Sequence, residues 1–184
     1  MNISRSTLIT LGVLLLVLLI AGWFAKQAYD RAQDEKITET PAYQALSAST
    51  TEGYTDFSGQ KVELTNYVGD VILVHSWASW CPPCVKELRQ LSDLAESYDE
   101  GQVRVVAINR AEDKRTAESF LRAYDLDLKV ELVLDPADKF FKSTDGYQMP
   151  ETVVYNKEGE VLLRIDGEHN VEVVRAAIDK ELSS

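Results

Sequence analysis

Trp80-Cys81-Pro82-Pro83-Cys84 contains both cysteines of this 184-residue chain. Two thiols spaced Cys-x-x-Cys can close into a small ring and open again, so the pair can carry two electrons by thiol–disulfide exchange. Upstream, Val71-Ile72-Leu73-Val74 is a continuous apolar run that suits a strand buried on both faces. Downstream, Leu88, Leu91, Leu94 and Ala95 recur at helical spacing and predict a helix from Val85 to Tyr98. The cysteines therefore fall where a buried strand turns into a helix, and there the unpaired N–H groups and the helix dipole favour a thiolate. Cys81, the first at the helix start, is the expected nucleophile, and Cys84, one turn further in, is expected to resolve the mixed disulfide.

Two other uses of the pair compete with this one. A disulfide that only staples the fold would enclose so short a loop that it would constrain the unfolded chain little. A zinc site needs further ligands, and outside the pair the chain offers only His75 and His169 besides carboxylates. Pro82 and Pro83 tune the couple, because neither has an N–H to face the Cys81 sulfur. A less stabilised thiolate means a more stable disulfide and a more reducing couple. Proline is also tolerated at a helix start, so the two residues serve local structure as well.

Trp77-Ala78-Ser79-Trp80-Cys81-Pro82-Pro83-Cys84, with Glu87 three residues on and Met149-Pro150 late in the chain, resembles the active-site pattern of thioredoxin-fold proteins of the membrane-anchored TlpA/ResA/CcmG group. The resemblance covers roughly residues 54 to 182. It implies a thioredoxin-like α/β sandwich with an N-terminal hairpin extension, preceded by one transmembrane helix. It also implies that Pro150 follows a cis bond and lies against the disulfide, leaving nearby backbone free to pair with an extended substrate. Trp80, Met149 and Glu151 would border that substrate, and Glu87 would exchange the Cys84 proton. Pro150-Glu151-Thr152 resembles the CcmG branch, which reduces apocytochrome c, although Tyr147-Gln148 departs from the glycine-valine pattern common there. His75 stands where relatives usually carry aspartate or asparagine; it is either a second proton relay or a hydrogen-bonded structural histidine. His169, in a polar turn, is expected to be solvated. Glu87 is expected in the first helical turn, where the dipole favours a carboxylate; partial burial would raise its pKa towards neutrality.

The remaining segments follow from periodicity and punctuation. Residues 1–6 form a short tail. Residues 7–25 form an apolar run without charge, long enough for a bilayer core of about 30 Å and longer than the apolar stretch of a cleaved signal peptide. Ala21-Gly22-Trp23-Phe24-Ala25 puts aromatics where a cleavage site wants small residues, and no cysteine follows to take a lipid. Residues 26–40 are a polar linker, and 41–184 the thioredoxin-like domain, entered through Pro41 to Leu46 and a loop from Ser47 to Gly53. Two short strands, Tyr54–Phe57 and Lys61–Leu64, precede the redox strand. Then come a strand at Val103–Ile108, a helix at Glu112–Tyr124, a strand at Val130–Leu134, a short helix at Ala137–Ser143, strands at Thr152–Tyr155 and Val161–Ile165, and a helix at Val171–Leu182.

All 30 acidic residues but only 17 of the 19 basic ones follow position 29, which leaves that part of the chain at −13. Such a surface disfavours nucleic acid and anionic lipid. With the resemblance, the expectation is an enzyme on the extracytoplasmic side of the cytoplasmic membrane, anchored in the bilayer by one helix. Its expected partners are thiols and disulfides of exported proteins and a membrane reductase that donates electrons. It is expected to need no cofactor beyond the Cys81–Cys84 couple and no metal. The alternatives are a disulfide oxidase or isomerase, a metallochaperone, or an interaction module that keeps the fold without catalysis.

Overall fold

The structure, a computed structural model, describes residues 14–29 and 54–184. Contacts divide the chain into two units, Met1–Thr40 and Pro41–Ser184. In the first, residues 14–29 form a helix (α1). Its Leu14 to Ile20 side chains are exposed, and the Trp23 and Phe24 rings meet edge to face at 4.9 Å. No helix among the described residues is long and apolar enough to cross a membrane. Residues 7–13 of the expected anchor, most of the linker and the entry segment at residues 41–53 lie outside the described residues.

The second unit is built on a six-stranded mixed sheet in the order β1-β4-β3-β2-β5-β6. The strands are β1 Thr55–Asp56, β2 Val71–Trp77, β3 Val103–Arg110, β4 Glu131–Asp135, β5 Glu151–Tyr155 and β6 Val161–Asp166. β2, β3 and β4 run parallel, while β1, β5 and β6 pair antiparallel with their neighbours. The helices are α2 Pro82–Glu96, α3 Lys114–Ala123, α4 Lys139–Ser143 and α5 Val171–Leu182. This is the thioredoxin-like α/β arrangement.

β2 lies at the centre of the sheet, and all seven of its residues are buried. Alternation sorts them between the two faces. Ile72 and Val74 pack with Val106, Ile108, Val133, Val153 and Phe140. Val71 and Leu73 face the other way, against Leu91 and Leu94 of α2 and Val174 and Ile178 of α5. Trp77, on the same side, joins Leu88, Ala117 and Phe120 around the cysteines, and its ring stacks on Phe120 with centroids 5.4 Å apart. Each fully buried aliphatic side chain in these layers contributes about 1.5–3 kcal/mol. The same alternation turns His75 to the side that carries α2.

Two expectations are corrected here. The second strand of the entry hairpin shrinks to a single bridge between Thr55 and Lys61, and Leu64–Tyr67 is a 3-10 turn. Asp56 holds the turn between Thr55 and Lys61 tight by accepting from the Ser58 and Gln60 N–H groups. The active-site helix starts at Pro82 instead of Val85, because a first-turn proline has no hydrogen bond to lose and its φ is already helical. Glu87 is thereby moved into the second turn, where the dipole contributes little and burial sets its chemistry.

Candidate active site

Cys81 caps the start of α2 in extended conformation, and its sulfur is bonded to that of Cys84. The side chains have 3 % and 0 % exposure, so in the disulfide form both are enclosed and Cys81 keeps the outer place. Pro82 and Pro83 donate nothing, and the first N–H of the helix, that of Cys84, goes to the Cys81 carbonyl at 3.2 Å. Local donors for a Cys81 thiolate are thus scarce, as the two prolines lead one to expect.

The Met149–Pro150 bond is cis, and Met149 packs against the apolar cluster that includes both cysteines. Trp80 stands 59 % exposed beside the pair. Both residues border the disulfide from outside. Glu151 does not. Its side chain is fully buried and accepts from Thr144 Oγ1 at 2.7 Å, with Arg164 Nε at 3.2 Å and Ser76 Oγ at 3.5 Å. Its expected place at the substrate is corrected to an internal brace between β2, β5 and β6.

Glu87 projects from α2 into a polar pocket and is 2 % exposed. Its Oε1 accepts from the His169 backbone N–H at 3.0 Å. Its Oε2 lies 3.3 Å from His169 Nδ1 and 3.9 Å from His75 Nδ1. Burial pushes the Glu87 carboxyl up to about 7, and the His169 amide and the Lys86 charge only partly offset it. His75 is fully buried, and its Nδ1 is engaged by Thr152 Oγ1 at 2.9 Å. Burial, with a smaller contribution from His169, depresses its imidazole to about 3. With its imidazole neutral and bonded to Thr152, His75 is less apt than Glu87 to take up a proton near pH 7. His169 is corrected from a solvated residue to one whose ring is buried over Glu87.

The sequence profile of the Redoxin family matches residues 38–181. The chain belongs to the Redoxin family. Within that family it is similar to thiol–disulfide oxidoreductase ResA of Bacillus thuringiensis subsp. konkukian, at 29 % identity over 126 residues, 68 % of this chain and 72 % of ResA. ResA of Geobacillus kaustophilus is 28 % identical over 130 residues, 71 % of this chain and 74 % of the relative. Among solved structures, a Chlorobium tepidum protein assigned as thiol:disulfide interchange protein DsbE superposes with a TM-score of 0.60 at 25 % identity, covering 66 % of this chain and 86 % of its own. StoA of Bacillus subtilis shares the fold, with a TM-score of 0.56 at 24 % identity, covering 68 % of this chain and 96 % of its own. The resemblance to the TlpA/ResA/CcmG group therefore holds.

In this Redoxin chain two supports of the active-site loop went unread in the sequence. Glu112 precedes the Asp113 cap of α3 instead of belonging to the helix, and its carboxylate takes the Ser79 N–H at 3.0 Å, the Ser79 hydroxyl and the Asn109 amide at 2.8 Å. It thereby fixes the segment just before Cys81. Arg110 binds Asp138 through both its Nε, at 2.8 Å, and its Nη2, at 2.7 Å, and lies over the Phe141 ring at 3.5 Å, with the Trp80 ring 6.0 Å away. Two acids ahead of a helix were the available signal for Glu112. Arg110 had none, because its partners are 28 residues or more away along the chain.

Proposed function

We propose that this Redoxin-family thiol–disulfide oxidoreductase reduces disulfides of exported proteins on the outer side of the cytoplasmic membrane, apocytochrome c among them. The observation that carries the reading is the Cys81–Cys84 bond at a helix start whose first two residues, Pro82 and Pro83, offer no N–H to a thiolate. In the reduced enzyme, the Cys81 thiolate attacks one sulfur of the substrate disulfide, the substrate S–S bond breaks, and the first substrate thiolate leaves and takes a proton. Cys84 then gives its proton to ionised Glu87 and attacks Cys81 Sγ, which re-forms Cys81–Cys84 and breaks the bond to the substrate, whose second sulfur leaves as a thiolate and takes a proton from water. Two electrons pass to the substrate, and a membrane reductase restores the dithiol. Trp80, Met149 and the backbone beside Pro150 hold the extended substrate. The couple consists of the chain's own two cysteines, and no further cofactor enters.

The direction of the reaction is tested by potential. Pro83→His adds a donor and a partial positive charge beside the thiolate and is expected to make the couple a stronger oxidant. Equilibration of the full chain with glutathione measures it. A shift smaller than about 10 mV, equal to about 0.5 kcal/mol for two electrons, would remove the proline dipeptide as the tuning element.

The membrane anchor is part of the same proposal and rests on the apolar run at residues 7–25. The expressed chain is expected to sediment with membranes and to keep its original N-terminus by intact mass. A soluble product that starts near residue 26 would replace the anchor by a cleaved leader.

A further inference from the structure

The polar pocket behind the disulfide brings together side chains from three elements. His75 comes from β2, Glu87 from α2 and His169 from the turn between β6 and α5. Their side-chain exposures rise outward from 0 % at His75 through 2 % at Glu87 to 6 % at His169. At the mouth stand the exposed charges Lys86 and Glu168, 3.3 Å apart. The turn is secured at both ends: Gly167 N–H donates to the Pro150 carbonyl at 2.7 Å, and His169 N–H donates to Glu87 Oε1. A side chain at Gly167 would meet the Gln148 amide at 2.8 Å and would force a strained backbone at φ +94°.

Glu87 Oε2 and His169 Nδ1 are both enclosed, and neither has a hydrogen-bond partner. They face one another at 3.3 Å. Two buried polar atoms left without a partner are unfavourable, whereas one proton between them satisfies both. His75 cannot compete for it, since its Nδ1 already faces Thr152 and stands further off. An imidazole can take a proton on one ring nitrogen and give one up from the other.

On this basis, and resting on the proposed role of Glu87, we infer that His169 is the exit through which Glu87 passes to solvent the proton it takes from Cys84. When Cys84 attacks, its S–H bond breaks and Glu87 Oε2 gains the proton. That proton then crosses to His169 Nδ1 while Nε2 gives one to water, and Glu87 is left ionised for the next turnover. His169 acts through Glu87 and never touches the sulfurs; it is a positioning and relay residue. The titratable and charged groups that bear on this exchange are neutral His75 behind it and Lys86 and Glu168 at the mouth.

The test uses the reduced full chain and dithiobis(nitrobenzoate), which reports both steps by absorbance. One nitrothiobenzoate leaves when Cys81 attacks and a second when Cys84 resolves. His169→Phe keeps the bulk of the ring without its nitrogens, and His169→Gln keeps a hydrogen-bonding side chain that cannot relay. In both variants at pH 7 the chains whose Glu87 starts protonated are expected to resolve about 10²-fold more slowly, the lower end of what a positioned acid–base group contributes, so that the second phase splits, while chains that start with ionised Glu87 keep the wild-type rate. Imidazole added to His169→Ala is expected to restore that phase in proportion to its neutral concentration. Wild-type second-phase rates in His169→Phe and His169→Gln, or equal slowing of both phases, overturn the role of His169. A wild-type chain with no second phase overturns instead the reading of the cysteine pair and Glu87.

Discussion

Cys81→Ser will abolish reduction of a test disulfide, and Cys84→Ser will leave the chain covalently attached to it. The asymmetry follows from position. Cys81 is at the cap of α2 with the outer place, while Cys84 is fully enclosed one turn in. An attacking sulfur must meet its substrate, whereas a resolving sulfur needs only to reach its neighbour. In Cys84→Ser the mixed disulfide forms and has no internal thiol to break it, so non-reducing electrophoresis should show adducts that disappear with dithiothreitol. Alkylation of the reduced chain at limiting reagent should label Cys81 first. Adducts on Cys81→Ser but not on Cys84→Ser would reverse the assignment.

Glu87→Gln is expected to slow resolution of the mixed disulfide by about 10²-fold or more and to remove an inflection near pH 7. Below that pH wild-type Glu87 holds its proton and cannot accept another; above it the carboxylate is ionised and can. The rate of the resolving step should therefore rise with pH in wild type and lose that rise in the variant, while His75→Asn should keep it.

The same substitution has an opposite effect on stability. Because burial raises the folded Glu87 pKa from 4.5 to about 7, the folded state binds the proton more tightly than the unfolded one. The contribution of the protonated acid is fully present below about pH 4.5 and is lost as pH rises through about 7. At about 1.4 kcal/mol for each pH unit, that span corresponds to about 3 kcal/mol. Glutamine imitates the protonated acid at every pH, so Glu87→Gln should raise the melting temperature above pH 7 and leave it unchanged below pH 4.5. Thermal unfolding at pH 4 and pH 8 measures both limits. A destabilised variant at pH 8 would mean that ionised Glu87 is well accommodated.

Much of the fold was legible because its central elements carry strong patterns. The apolar run of β2 and the helical spacing of Leu88, Leu91 and Leu94 locate the strand and helix that hold the cysteines, and burial in the sheet's centre makes such patterns unambiguous. The edges were less legible. Leu64 belongs to a 3-10 turn although its segment alternates like a strand, because so short a pairing is decided by the neighbouring chain and not by its own residues. Polar residues misled in both directions. Nearness to Pro150 points Glu151 at the substrate, yet Arg164 from the neighbouring strand β6 and Thr144 after α4 draw its carboxylate inward. His169 sits in a turn of polar composition, and only the closure of that turn over α2 buries its ring.

The position of β2 has a consequence for how the protein opens. With β3 and β5 paired on its two sides, β2 shares with β3 the greatest distance from a sheet edge, and hydrogen exchange at such positions proceeds only through global unfolding. The two-residue β1, paired to β4 at the sheet's rim, can open by fraying alone. Deuterium should thus enter Thr55 and Asp56 early and Leu73 to His75 last. β2, which leads into the cysteine loop, is then the last part of the domain to lose its shape under denaturant, so that redox competence should persist until the cooperative transition itself.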